Sequence, residues 1–278
     1  MALGVTILLG SLTGINDTER IKKTANTAIS IFISAAVIIT LLGILFSPFI
    51  LKIIYTPPEA FPLAVTYLRI VFAGMVFTLG YNLVCAIQRG FGDSKSSMYF
   101  VMAATATNVV LDYLLIAKFN MGVSGAALAT IASQALSFVL SIVYFRSKKH
   151  IVTFNPKEFC FDKEIAKDII RIGLPSALQQ GTVNVAYLVL NGIVNSYGIL
   201  ASAAYGICVK LDSFAVLPCS AVNDAVAAVT SQNLGAGQKE RALQGISAGR
   251  KMLIPFNIVL MAVMLLGGGY LVAIFNSD

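Results

Sequence analysis

The chain has 278 residues, of which 57% are hydrophobic and 12% charged, with a mean hydropathy of +0.82. Soluble domains carry about 25% charged residues, so this chain cannot clothe a water-facing surface and a soluble globular fold is excluded. The net charge of +7 does not point to nucleic acid, because the basic residues fall in short segments between apolar runs, where they set membrane topology.

The apolar runs are long enough for helices that cross about 30 Å of hydrocarbon. In chain order, residues 1–12 read as the tail of one crossing, without the basic start of a signal peptide. Full spans follow over about 26–53, 62–87, 98–117, 123–145, 169–196, 201–232 and 246–275. Turn-forming residues separate them: Thr56-Pro57-Pro58, Gly90-Phe91-Gly92-Asp93, Asn120-Met121-Gly122, Asn195-Ser196-Tyr197-Gly198 and Gly235-Ala236-Gly237. The fold class is therefore all-α, a polytopic membrane helix bundle.

Charge tests this map. One set of alternate turns holds 16 of the 20 Lys and Arg residues, among them Arg20, Lys23, Arg89, Arg146, Lys163 and Lys239. The other set holds only Lys52 and Lys118, and Arg69 and Lys210 fall inside spans. Such asymmetry places the first set on the cytoplasmic side. The basic segment 146–168 reads as a linker, with Asp162 capping a short amphipathic helix whose Ile165, Ile169 and Ile170 would lie on the bilayer surface. It divides a first lobe, 1–145, from the first three helices of a second, 169–278.

An internal repeat supports two lobes. Thr13–Arg20 aligns with Leu234–Arg241 at a constant offset of 221, matching Gly, Glu and Arg. Each segment ends an apolar run, turns, and opens the next span. Carried along the chain, the offset implies about fifty residues before Met1 and about ninety after Asp278 in the complete repeat pair. Two copies with an even number of crossings are related by an axis along the membrane normal.

Asp112 is the first candidate for chemistry. A carboxylate within an apolar span is costly and marks function by default. Asn108 lies one turn earlier on the same face. Desolvation would raise the Asp112 pKa toward neutrality and suit proton exchange, whereas a bound Na⁺ would keep it ionised. The alternative is a carboxylate wetted at the outer face. In the span opening at Pro175, Ser176, Gln180, Asn184 and Asn191 form one polar stripe, which either lines a cargo cavity or binds neighbouring helices. Lys210 and Asp212, two residues apart, do not face each other. They serve either structural pairing or the same cavity. No residues are spaced as a metal clasp. Cys85, Cys160, Cys208 and Cys219 lack metal or redox spacing. His150 is the single histidine, and no nucleophile motif is present, so an enzyme is not expected. No cofactor is expected beyond H⁺ or Na⁺ as a coupling ion.

Several stretches together resemble the MATE family of multidrug and toxic-compound extruders. Arg89-Gly90-Phe91-Gly92-Asp93 is similar to its RGxGD turn, and Asn108-Val109-Val110-Leu111-Asp112-Tyr113 to its NxxLDy segment. Gly122-Val123-Ser124-Gly125-Ala126-Ala127-Leu128-Ala129-Thr130 resembles the start of its sixth helix. Gly173-Leu174-Pro175 and Gln232-Asn233-Leu234-Gly235-Ala236-Gly237 also match. The resemblance runs from the end of family helix two through helix nine. It implies a two-lobe fold that exports cationic or amphipathic drug-like compounds across the cytoplasmic membrane in exchange for H⁺ or Na⁺, as a monomer when full length. It also implies that Thr130 joins Asn108 and Asp112 at the cation site. A chain lacking family helices one and ten to twelve is not expected to transport by itself. A non-transporting fragment and a lipid-linked polysaccharide flippase of the wider superfamily are the alternatives. The flippase calls for a more basic cavity than Arg69 and Lys210 provide.

Overall fold

The computed structural model describes residues 1–53, 56, 58–147 and 160–275, and among them there is no strand. The helices are α1 (Ala2–Gly14), α2 (Thr18–Ile53), α3 (Phe61–Ala73), α4 (Met75–Gly90), α5 (Ser94–Asp112), α6 (Gly122–Ser147), α7 (Lys163–Asn195), α8 (Ile199–Gly235) and α9 (Lys239–Phe275). A π-helical segment, Tyr113–Lys118, continues α5. Lys148, Lys149, His150 and Lys157 of the basic linker lie outside the described residues.

The expected crossings appear with three differences. The span over 62–87 is two helices, α3 and α4, bent by 45° at Gly74. A side chain at Gly74 would collide with Ile131 of α6, so glycine admits that contact at a position where it also weakens the helix. Second, among the described residues five helices are long and apolar enough to cross a membrane, or six with α3 and α4 taken as one span, and α7 is not among them. Its Gln179, Gln180, Asn184 and Asn191 dilute an otherwise apolar run.

The third difference concerns the linker. Asp162 does cap a helix, its Oδ1 accepting from the Glu164 and Ile165 N–H groups, but that helix is not short. It is the start of the 33-residue α7 and passes through Pro175. Ile169 is fully buried, and Ile165 packs against the same core, so neither lies on a bilayer surface. The close approach of α1 explains why. The Gly173 Cα is open to the Met1 backbone, and Gly4 to the Ile169 carbonyl, which seats the first turns of α7 against α1.

The 13-residue α1 is the hub of the bundle. Its Val5, Leu9 and Leu12 join Ile21, Ala25, Ala28, Ile29 and Phe32 of α2 and Leu83, Val84, Ala86 and Ile87 of α4 in the core. The Thr6 hydroxyl donates to the Ala86 carbonyl at 3.0 Å, which satisfies a buried polar group. Away from this hub the helices present large apolar side chains outward, such as Leu41, Leu45 and Phe49 of α2. With lipid as the solvent, that exposure is the favoured state.

The internal repeat is realised in backbone geometry. In the turn after α1, the Asn16, Asp17 and Thr18 N–H groups donate to the carbonyls of Thr13, Leu12 and Asn16. After α8, Gly237, Gln238 and Lys239 donate to Leu234, Asn233 and Gly237. These bonds are the same three, 221 residues on. Asn16 and Gly237, equivalent in the repeat, both hold positive φ, 57° and 72°.

Candidate functional site

α5 and α6 pack side by side and bring two of the three expected cation-site residues to one cavity. Asn108 and Thr130 line a pocket with Tyr81 of α4, Thr105 of α5, and Ser133 and Gln134 of α6. Asp112 stands one turn beyond Asn108, at the junction with the π-helical segment. Isolated π-helical turns are rare and concentrate at functional positions, because the extra residue per turn releases backbone groups and redirects side chains.

Two polar atoms here lack partners. Asn108 Nδ2 and Asp112 Oδ1 are both buried without a hydrogen bond. Leaving such groups unmatched costs about 1–3 kcal/mol each, so a native structure keeps them for a reason. Two of the surrounding hydroxyls are already committed: Thr130 donates to the Ala126 carbonyl at 3.0 Å and Ser133 to the Thr130 carbonyl at 2.8 Å. Their oxygen lone pairs remain as acceptors. The cavity, of 140 Å³, falls below the several hundred Å³ of pockets that enclose drug-sized ligands. It has the size and the acceptors for an ion or a few waters.

Ser133 and Gln134 follow Thr130 by three and four residues, and Thr105 precedes Asn108 by three, so helical spacing identifies them once the first residues are chosen. Tyr81 is different. It reaches the pocket from a helix with no sequence relation to the motif, its hydroxyl 3.5 Å from the Ser97 carbonyl.

The second-lobe candidates lie apart from this pocket. Gln180, Asn184 and Asn191 share a face of α7 on which every residue from 177 to 193 is exposed. Gln180 Nε2 donates to Asn184 Oδ1 at 3.5 Å. The structure adds Tyr187 to that face, between Asn184 and Asn191, and its hydroxyl donates to Asp212 Oδ2 of α8 at 2.7 Å. Tyr187 was hidden in the sequence because a tyrosine in an apolar run reads as core or interface packing. Lys210 lies two residues before Asp212 on the same helix, and both are exposed.

A third group of contacts joins the helix ends at the basic turns. Asp93 caps α5, accepting from the Ser96 N–H at 3.2 Å and the Ser96 hydroxyl at 2.8 Å, and it also accepts from the Tyr144 hydroxyl at 2.9 Å. Gln232 Nε2 of α8 donates to the Gly90 carbonyl of α4 at 2.8 Å. Gly92, with φ +81°, brings its turn under the Gln232 amide, a backbone conformation that favours glycine.

The comparisons agree with this architecture. The MatE family model matches residues 1–114 and 175–278. The chain is 32% identical over 236 residues to the Bacillus subtilis protein named "Probable multidrug resistance protein YpnP", covering 85% of this chain and 53% of that one. It is 28% identical to the Staphylococcus aureus "Multidrug export protein MepA" over 276 residues, 99% of this chain and 61% of that one. The chain thus spans about half to three-fifths of the length of these relatives. Among solved structures it matches an outward-facing multidrug resistance MATE family transporter with a TM-score of 0.89 at 24% identity, covering 99% of this chain and 61% of that one. It also matches a Pyrococcus furiosus MOP superfamily transporter with a TM-score of 0.90 at 24% identity, covering 100% and 62%. The family model's extent, the relatives and the shared fold together establish that this chain belongs to the MatE family, the MATE transporters that its turn and helix motifs resemble.

Proposed function

We propose that this chain carries the cation-binding half of an exporter that moves cationic and amphipathic drug-like compounds across the cytoplasmic membrane in exchange for H⁺ or Na⁺. The basic turns face the cytoplasm. The observation that carries this reading is a pair of buried, unpartnered groups one helical turn apart: Asn108 Nδ2, from a residue that lines a small polar cavity, and Asp112 Oδ1. An amide presents either an oxygen or an N–H to the same neighbour by rotating half a turn. Asn108 therefore answers a bound cation in one orientation and the bare carboxylate in the other. The names of the relatives support export of drugs.

The coupling ion acts only through its different affinity for the two access states. A carboxylate that gains a partner in one state and loses it in the other supplies that difference. The test is ethidium efflux from proteoliposomes, driven by an imposed Na⁺ or pH gradient, with the chain in a form spanning the full length of its relatives. Asp112→Asn should abolish gradient-driven efflux without lowering the amount of folded protein. Efflux equal to the parent's would remove Asp112 from the mechanism.

A further inference from the structure

A second polar cavity, of 290 Å³, lies where the start of α7 meets α1 and α2. Arg20, Lys23 and Thr24 line it from α2, at the i, i+3 and i+4 positions of one helix face. Glu164 and Asp168 line it from α7, also one turn apart, and Leu8 and Ile165 add apolar surface. The Thr27 hydroxyl ties the two helices together at its edge, accepting from the Asp162 N–H at 3.2 Å and donating to the Cys160 carbonyl at 3.4 Å. Among the described residues no ion pair closes across the cavity. Arg20 pairs with Asp17 at 3.7 Å and Lys23 with Glu19 at 2.8 Å, each within its own stretch of chain. Thr24 is 1% exposed, and its hydroxyl is buried without a hydrogen-bond partner.

We infer that this cavity binds the phosphoethanolamine headgroup of a membrane phospholipid, with Arg20, Lys23 and Thr24 on the phosphate and Glu164 and Asp168 on the ammonium. The charges set the ligand class. Cations on one helix and carboxylates on the other suit a ligand that carries both signs, and a guanidinium, an ammonium and a hydroxyl are phosphate donors. The carboxylates select a primary ammonium, which donates hydrogen bonds, over a choline, which has none to donate. A metal ion does not fit, because among the described residues no three acidic, histidine or cysteine side chains gather closely enough to hold one. Depth points to a lipid. Thr24 stands just before the apolar run over 26–53, at the level of the headgroups. The fold itself does not demand this chemistry. At the offset of 221, Lys23 and Thr24 correspond to Gln244 and Gly245, and Gly245 lines a groove between α8 and α9 built from alanine, valine, glycine and methionine alone. The polar cavity thus belongs to one copy of the repeat. Held by both lobes, the headgroup favours the arrangement in which they meet here.

The test is native mass spectrometry of the 278-residue chain in detergent micelles, titrated with phosphatidylethanolamine, phosphatidylcholine or phosphatidylglycerol of the same acyl chains. Circular dichroism and gel filtration confirm fold. The parent should bind phosphatidylethanolamine at least about threefold more tightly than either other lipid. Glu164→Gln combined with Asp168→Asn should erase that preference, and Arg20→Gln combined with Lys23→Gln should weaken all three lipids. These four residues are exposed, so their substitution tests the site independently of the buried Thr24. Thr24→Val, which keeps the shape and removes the hydroxyl, should weaken phosphatidylethanolamine binding roughly tenfold, and Thr24→Ser should restore it. A hydroxyl that served packing alone would leave binding intact. The inference is overturned if the parent binds the three lipids alike, or if any folded variant that removes a charge pair or the hydroxyl binds and discriminates as the parent does. Glycerophosphoethanolamine, the same headgroup without acyl chains, should fail to displace the lipid. Displacement would overturn the lipid source and assign the cavity to a soluble phosphoethanolamine compound. The readout is lipid binding and not efflux, so its failure leaves the transport reading standing.

Discussion

Gly14 and Gly235 end equivalent helices and pack against each other's partners reciprocally. The Gly14 Cα faces the Gln232 carbonyl, and the Gly235 Cα faces the Ser11 carbonyl. Ser11 and Gln232 stand at the same offset of 221 that relates the two glycines. Such reciprocity is the signature of a two-fold axis running between α1 and α8, as an interface between like surfaces requires. Gly10 adds a third contact close to that axis, against the Ser231 hydroxyl.

A side chain at either glycine meets backbone and not a flexible side-chain end, so the helices must part. Gly14→Leu and Gly235→Leu should each destabilise the chain by at least the ~1–3 kcal/mol typical of overpacking. They should do so equally, because the contacts are equivalent. Thermal melting in detergent, followed by circular dichroism, checks this. A melting temperature unchanged in one and lowered in the other would contradict the two-fold relation.

The repeat makes a sharper prediction at the turns. Gly237 holds a positive φ at the position where the first copy has Asn16, and asparagine is the residue after glycine that best tolerates this conformation. Gly237→Asn should therefore melt within experimental error of the parent. Gly237→Val should lose about 1–2 kcal/mol, the cost of forcing a branched side chain into the left-handed region. Equal melting of the two variants would show that the turn adopts another conformation in the membrane.

Legibility in the sequence followed the reach of each interaction. Spans and turns were readable because apolar run length and turn residues act locally. The repeat was readable because Gly14, Glu19 and Arg20 recur in order as Gly235, Glu240 and Arg241. Asn108 and Asp112 were readable because one helical turn separates them. The bend at Gly74 was not, since the neighbour that leaves no room for a side chain there, Ile131, lies on another helix. The burial of Ile169 was not either: a segment with Lys163, Lys167 and three isoleucines has the pattern of a surface-lying helix, and only the approach of Gly4 and Gly173 turns it inward. Tyr187 escaped notice for the same reason, because its partner Asp212 lies 25 residues away on α8.

The Asp93 cluster should govern the local stability of the α4–α5 turn. Asp93 accepts from the Ser96 backbone N–H and from the Ser96 and Tyr144 hydroxyls. Asp93→Ala should cost about 0.5–2 kcal/mol through the lost cap alone, and more with its two bonds from the Ser96 and Tyr144 hydroxyls lost. Tyr144→Phe should cost about 1.5–3 kcal/mol, the range for a hydrogen bond to a charged acceptor. Hydrogen exchange at the Ser96 amide reads the cap directly. Protection in Asp93→Ala equal to the parent's would show that the cap does not hold this helix end.

Gln232 should matter through its donor and not its size. Its amide spans from α8 to the Gly90 carbonyl on α4, and Gly90 is buried, so that carbonyl has limited access to water. Gln232→Leu keeps the volume and removes the donor, which should cost about 1 kcal/mol plus whatever the bared carbonyl loses. Gln232→Glu keeps the shape and, once ionised, sets a negative charge against the carbonyl dipole, so it should be the more damaging of the two above the ordinary carboxylate pKa. Lowering the pH through that range should narrow the gap, because a protonated carboxyl can donate where the carboxylate cannot. Melting curves of parent, Leu and Glu variants at two pH values decide the matter. A Glu variant as stable as the parent at neutral pH would mean that Gln232 and Gly90 do not share this bond in the membrane.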